Sequence, residues 1–300
     1  MSTLIRVERA LVISHILSMA FGLAGLLLVL PNPDFIVSLP PIGKTAFAWS
    51  MAGGGVMYML LGMGAVALYA YRTLGVWHCL GFMIPALTIS LSSELLGTST
   101  GFPFGHYRYL TGLGYKIAGL VPFTIPLSWF YLGFSAYLIA RGGLNQRISS
   151  NWLKMLASIV LGAIFLTAWD FVLDPAMSQT TMPFWLWEQP GAFFGMPYQN
   201  FAGWFGTGAI FMTVATLIWK AKPFNFPQTQ LGLPLTIYVS NFAFAMVMSL
   251  AAGIYTPVLL GLIVGLFPVL LLYRLAGRTE TTRPENMVDM SVNPVGVLSK

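Results

Sequence analysis

Glu94, Asp170 and Asp174 are the residues from which chemistry is most easily built. Each falls within or at the edge of a stretch too apolar to be solvated, and ionisable groups at membrane depth are costly and usually functional. Asp170 and Asp174 are spaced i, i+4, which puts both on one helix face provided the helix continues to Pro175. Two like charges so placed resist simultaneous ionisation, and poor hydration opposes the charged form of either. One of the pair can then keep its proton near neutral pH and act as a proton donor. Paired aspartates also suit a magnesium ion on a diphosphate substrate, but that reading wants a second acidic pair and a cluster of cations, and the sequence has neither. The plainest alternative is that each carboxylate pairs with Arg108, Lys116 or a hydroxyl as a structural contact. Glu188, in an aromatic loop, reads as interfacial. Glu8, Asp34, Glu280, Glu285 and Asp289 lie in tails or a loop and read as solvated.

Other chemistries find little support. The chain has three histidines, too few for a membrane hydroxylase with a di-iron centre. His15 and His78 are expected near the cytoplasmic side and His106 stands alone in an outer loop, so no set with metal-ligand spacing exists. The lone Cys79 excludes an intramolecular disulfide. Gly62 to Ala67 matches a dinucleotide pattern formally, but inside an apolar span with no preceding strand. Gly53 to Gly55 and the Gly261/Gly265 pair are read as close helix packing. No metal or cofactor is expected.

The elements that must hold these groups follow from composition. Of 300 residues, 57% are hydrophobic and 8% charged, whereas soluble domains carry roughly a quarter charged residues. A bilayer core takes about 20 apolar residues per helix. Eight such stretches run approximately Ala10 to Leu30, Thr45 to Ala70, Val76 to Leu96, Ile117 to Ala140, Trp152 to Leu173, Phe201 to Trp219, Leu235 to Ala252 and Pro257 to Tyr273. The expected fold is an all-α polytopic membrane bundle of about eight transmembrane helices, or seven if the last two form one broken span. Residues 1–278 form a single transmembrane domain and 279–300 a polar, disordered tail.

Charge orients this layout. Placing the 15 Lys and Arg residues on alternate sides gives Arg6, Arg9, Arg72, Arg141, Arg147, Lys154, Lys220, Lys222, Arg274, Arg278, Arg283 and Lys300 on one side. Lys44, Arg108 and Lys116 fall on the other. The basic side is cytoplasmic by the positive-inside rule, with both termini there. The net charge of +6 therefore reflects topology and implies no nucleic-acid partner. Segments 97–116 and 174–200 fall on the outer side, both aromatic, and all four acids of interest gather there. Trp and Tyr at this level also fit an ordinary aromatic belt.

The run ELLGTSTGFPFGHYRY from Glu94 to Tyr109, then VPFTIPLSWF from Val121, WDFVLDPAM from Trp169, WLWE from Trp185 and FFGMPYQNFAGW from Phe193 to Trp204, resembles the polytopic carotenoid biosynthesis family. That family includes carotenoid 1,2-hydratases of the gamma-carotene and bisanhydrobacterioruberin types. The resemblance spans roughly residues 50 to 270, with its specific motifs between 94 and 204. At Phe193-Phe194 the pattern leads one to expect a Tyr, so no phenol role is carried to that point.

The resemblance implies addition of water across the terminal double bond of an acyclic psi end group, leaving a tertiary alcohol, with no redox cofactor. One of Asp170 and Asp174 would donate the proton, while Glu94, through His106 or Tyr107, positions water and takes its proton; the reverse assignment is open. Arg108 would keep one carboxylate ionised. Phe102, Tyr107, Tyr109, Trp129, Trp185, Trp187, Asn200 and Trp204 would bind the polyene, aromatic faces stabilising the cation by about 0.5–2 kcal/mol each when desolvated. The implied partners are a carotenoid, water, membrane lipid and a downstream glycosyltransferase. An end-group cyclase, a prenyl elongase and a lipid or carotenoid transporter are the competing readings.

Overall fold

The computed structural model describes residues 2–180, 182–189, 191–223 and 230–277. The tail expected at 279–300 lies outside them. The described chain is mostly helical, as lipid requires: a membrane span must satisfy its backbone N–H and C=O groups within itself. Helix α1 (Ser2–Ala24) continues as a π-helical turn over Gly25–Val29, and the short α2 (Pro33–Ser38) leads into α3 (Pro41–Thr100). Within α3, Gly75 has φ 82° and ψ 168°, a conformation essentially reserved for glycine. The chain doubles back there. The Cys79 thiol reaches the Ala67 carbonyl at 3.6 Å, so the two halves of α3 form an antiparallel hairpin.

Strands β1 (Tyr107–Tyr109), β2 (Lys116–Ile117) and β3 (Val121–Pro122) precede α4 (Thr124–Leu144) and α5 (Asn151–Met177). Strand β4 (Trp185–Trp187) leads to α6 (Tyr198–Lys220) and α7 (Gly232–Ala251). The last span is α8 (Tyr255–Gly261), a π-helical turn (Leu262–Leu266) and α9 (Phe267–Gly277). Each of the eight apolar stretches thus has its helix, and 6 helical runs among the described residues are long and apolar enough to cross a membrane. The chain is an all-α, multi-pass membrane bundle.

Several expectations need correcting. The fourth stretch becomes helical only at Thr124, not Ile117: β2 and β3 pair antiparallel, with Gly112, Gly114 and Gly119 at positive φ around them. Of the two forms open to the last two stretches, a tight helical hairpin or one broken span, the structure has the hairpin. Gly253, at φ 73°, makes the turn. A Cβ added at Gly261 would lie 2.9 Å from the Phe242 ring and one at Gly265 2.9 Å from the Tyr238 hydroxyl, an antiparallel register that glycine permits.

Glu8 is not solvated. Because α1 is helical from Ser2, its first turns lie beside the Gly75 reversal, where Arg72 grips Glu8 through Nε at 2.7 Å and Nη2 at 3.0 Å. His15 sits deeper than expected, its Nδ1–H on the Tyr58 carbonyl at 2.7 Å and its Nε2 accepting from Asn241 at 3.0 Å.

At the centre of the bundle is α4, in which every residue from Ser128 to Ala140 is buried. It contacts α3, α5, α6, α7 and α9. The axial helix therefore meets protein on all sides, while the outward faces of α1 and α3 carry the exposed apolar side chains expected next to lipid.

Candidate active site

Glu94, Asp170 and Asp174 are all buried, and a buried carboxylate must collect hydrogen bonds to offset lost hydration. They collect them unequally. Glu94 Oε2 accepts from the hydroxyls of Tyr107, at very short range, and Tyr109, at 2.9 Å, while Oε1 accepts from Trp129 Nε1 at 2.9 Å. Asp174 Oδ1 accepts from Trp185 Nε1 and Oδ2 from Trp187 Nε1, the latter at 3.0 Å. Among the described residues Asp170 has one such donor, Asn200 Nδ2 at 2.8 Å.

The device that delivers four of these donors is a pair of three-residue strands. Antiparallel β1 and β4 align Tyr107 with Trp187, Arg108 with Leu186 and Tyr109 with Trp185. Successive strand side chains point to opposite faces, so YRY and WLW turn four aromatic rings inward and send Arg108 and Leu186 the other way. Ring centroids of Tyr107 and Trp187 lie 5.2 Å apart. Burial and the nearby Glu94 push both phenols well above their usual pKa range, which keeps them donors. Helix α5 does continue past Pro175 to Met177, so Asp170 and Asp174 share a helix face.

Three residues expected in the chemistry do not reach it. Arg108 pairs instead with Glu188 at 3.1 Å, the two side chains 63% and 54% exposed. His106 is exposed and serves through its backbone, its carbonyl accepting from the amides of Glu188 and Gln189. Phe102 is exposed. None of the three lines the cavity. Lys116 donates to the Tyr109 carbonyl at 2.6 Å and so supports β1.

The carboxyl groups open into a cavity of about 830 Å³. Trp129, Trp185, Trp187, Trp204, Tyr107, Tyr109 and Asn200 all border it. Trp129 and Trp204 stack with centroids 4.0 Å apart, and Trp169 meets Trp204 edge-on at 5.9 Å. Trp169 and Phe104 were not singled out from sequence. Trp169 was signalled by its place next to Asp170. Phe104 was signalled only by the glycines it displaces against, since a Cβ on Gly97 or Gly203 would strike its ring at 2.7 or 2.5 Å.

The donor set speaks to the chemistry. Indole N–H groups on both oxygens of Asp174, and phenol and indole donors on Glu94, stabilise a carboxylate in a buried site by hydrogen bonds. Such a site suits a carboxylate–carboxylic acid system moving a proton, beside aromatic faces that favour a cation.

A family model described as "Carotenoid biosynthesis protein" matches residues 54–268, a stretch containing all three carboxyl groups and both strands. The chain belongs to the carotenoid biosynthesis protein family. Among its relatives, the bisanhydrobacterioruberin hydratase of Haloarcula japonica is 32% identical over 195 residues, which are 65% of this chain. The match spans 61% of that relative's length. No solved structure matches.

Proposed function

We propose that the protein hydrates the terminal 1,2 double bond of an acyclic psi end group, of the gamma-carotene or lycopene type, to a tertiary alcohol, without a redox cofactor. The observation that carries this reading is the unequal solvation of three carboxyl groups in one aromatic cavity. Asp170, with a single amide donor, is least able to carry charge and is assigned as the acid. Glu94, with three donors, is assigned as the ionised base. Asp174, held by two indoles, is assigned as a fixed anion that favours the cationic intermediate.

In this scheme the Asp170 proton adds to the less substituted alkene carbon. The positive charge falls on the tertiary carbon, against the indole faces of Trp129, Trp204 and Trp169. The oxygen of a water oriented by the Tyr107 hydroxyl bonds to that carbon, and Glu94 takes the proton released. Transfer of that proton to Asp170 resets the site, so the net change is one water added. The hydratase name of the Haloarcula japonica relative supports the reading.

The test is expression in bacteria that accumulate lycopene or gamma-carotene, grown in heavy-oxygen water. Label from water in a new tertiary alcohol is expected. An oxygen derived from molecular oxygen, a product of unchanged mass, or one enlarged by a five-carbon unit would instead indicate a hydroxylase, a cyclase or a prenyl elongase.

A further inference from the structure

We infer that the polyene shaft leaves the carboxyl site sideways, through a cleft between α1 and the first half of α3 that opens to lipid and serves as the substrate's entry. This rests on the reading of the cavity as a carotenoid site. The same cavity that exposes Glu94, Asp170 and Asp174 extends to Gly22 and Gly25 on α1 and to Gly53 and Gly54 on α3. Of Gly53 to Gly55, expected to serve close packing, Gly55 does, since a Cβ there would lie 2.5 Å from the Gly112 carbonyl oxygen, and Gly53 does not. A Cβ at Gly22, Gly25 or Gly53 would meet nothing within 4 Å. Gly62, Gly133 and Gly203 differ, for a Cβ there would lie 2.9 Å or less from a neighbouring side chain. Gly62, Gly133 and Gly203 thus bring elements together, whereas Gly22, Gly25 and Gly53 keep space empty at the cleft.

The rim of the cleft faces outward. Phe21, Trp49 and Met57 border the cavity yet are 63%, 76% and 54% exposed. Depth agrees as well. At about 1.5 Å rise per residue, Glu94 stands roughly 28 Å from the Gly75 reversal, close to one edge of a hydrocarbon core about 30 Å thick. Helices α1 and α3 run antiparallel with His15 against Gly62, which places Gly22 opposite Gly55, the level of the cleft. The π-helical turn at Gly25–Val29 starts at this same place, where α1 borders the cavity.

A cavity of about 830 Å³ encloses a molecule of drug size. A polyene is long and thin, and with its end group at Asp170 its shaft follows the cavity toward the cleft, which directs it into lipid rather than water.

The experiment fills the cleft with Gly22→Phe and Gly53→Phe in the full chain, with Gly206→Phe on α6 as a control. Gly206 also has open space at its Cβ but lies away from the cavity. The variants are expressed in lycopene-accumulating bacteria, purified, and read by polyene absorbance per mole of protein and by product mass. Wild type and Gly206→Phe should retain pigment. Gly22→Phe and Gly53→Phe should lose at least ~10-fold of both pigment and conversion, as expected when a bound shaft is displaced, at unchanged membrane yield. Pigment retention equal to wild type in both filled variants overturns the cleft. Pigment retained by wild type but never changed in mass overturns the hydratase reading, and its loss from both filled variants then still supports the cleft.

Discussion

At the scale of single residues, three carboxyl groups in one cavity differ mainly in how many donors each was given. General acid–base groups contribute about 10²–10⁴-fold in rate, so Asp170→Asn and Glu94→Gln should each reduce alcohol formation by that order with membrane yield intact. Wild-type turnover in both would sink the assignment. Tyr107→Phe removes one of three donors from Glu94 and should cost about 10- to 150-fold, a charged hydrogen bond being worth roughly 1.5–3 kcal/mol. Arg108→Ala should leave turnover within about threefold, because an exposed ion pair contributes about 0–1 kcal/mol. The three acids were conspicuous in the sequence because membrane depth makes a carboxylate stand out, whereas Trp129, Trp185, Trp187, Trp204 and Asn200 came from the motifs of the resemblance. Arg108 misled because proximity in sequence to Tyr107 and Tyr109 says nothing about face until the segment is known to be extended. The alternation in YRY and WLW held that information, but three residues are too few to identify a strand unaided.

Among the elements, the long α3 shows how little local signal a reversal needs. The hydropathy gap between Ala70 and Val76 marked two spans, yet helical residues continue to either side of a single glycine. Gly75→Ala forces a side chain into a backbone region that costs about 1–3 kcal/mol, and thermal unfolding in detergent should show a destabilisation of that size. The β1–β4 pair is the other decisive element. Leu186→Pro removes a donor from the middle of β4 and should release Trp185 and Trp187 from Asp174, abolishing product although residue 186 points away from the cavity. The expected helix at Ile117 was too early because hydropathy alone does not register that Pro122 and the glycines before it favour a turn.

For the whole molecule, the sequence-derived layout had all the chemistry at one end of the bundle, and the fold brings the two aromatic segments into direct register there. The opposite end is tied by Glu8 and Arg72, a contact hidden from sequence because 64 residues separate the partners. Removing one partner of a largely buried pair costs about 3–5 kcal/mol; Arg72→Met should lower stability accordingly, and adding Glu8→Gln should restore part of it. Charge bias further predicts eight crossings with both termini cytoplasmic. Impermeant thiol reagents should therefore label a cysteine placed at Tyr115 from outside intact cells, and one placed at Gln146 only after lysis.

The buried axis of the bundle carries a last consequence, for biogenesis. Helix α4 is not among the runs apolar enough to qualify as a membrane span, since Arg141 near its end, Pro126, Trp129, its glycines and the hydroxyls of Thr124, Ser128, Ser135 and two tyrosines dilute it. A nascent chain that has produced only α1 to α4 would offer this segment to lipid, a poor solvent for its hydroxyls. Stable insertion of α4 must then wait for α5, α7 and α9 to leave the ribosome, and a chain truncated after Leu144 should be degraded rather than retained in the membrane.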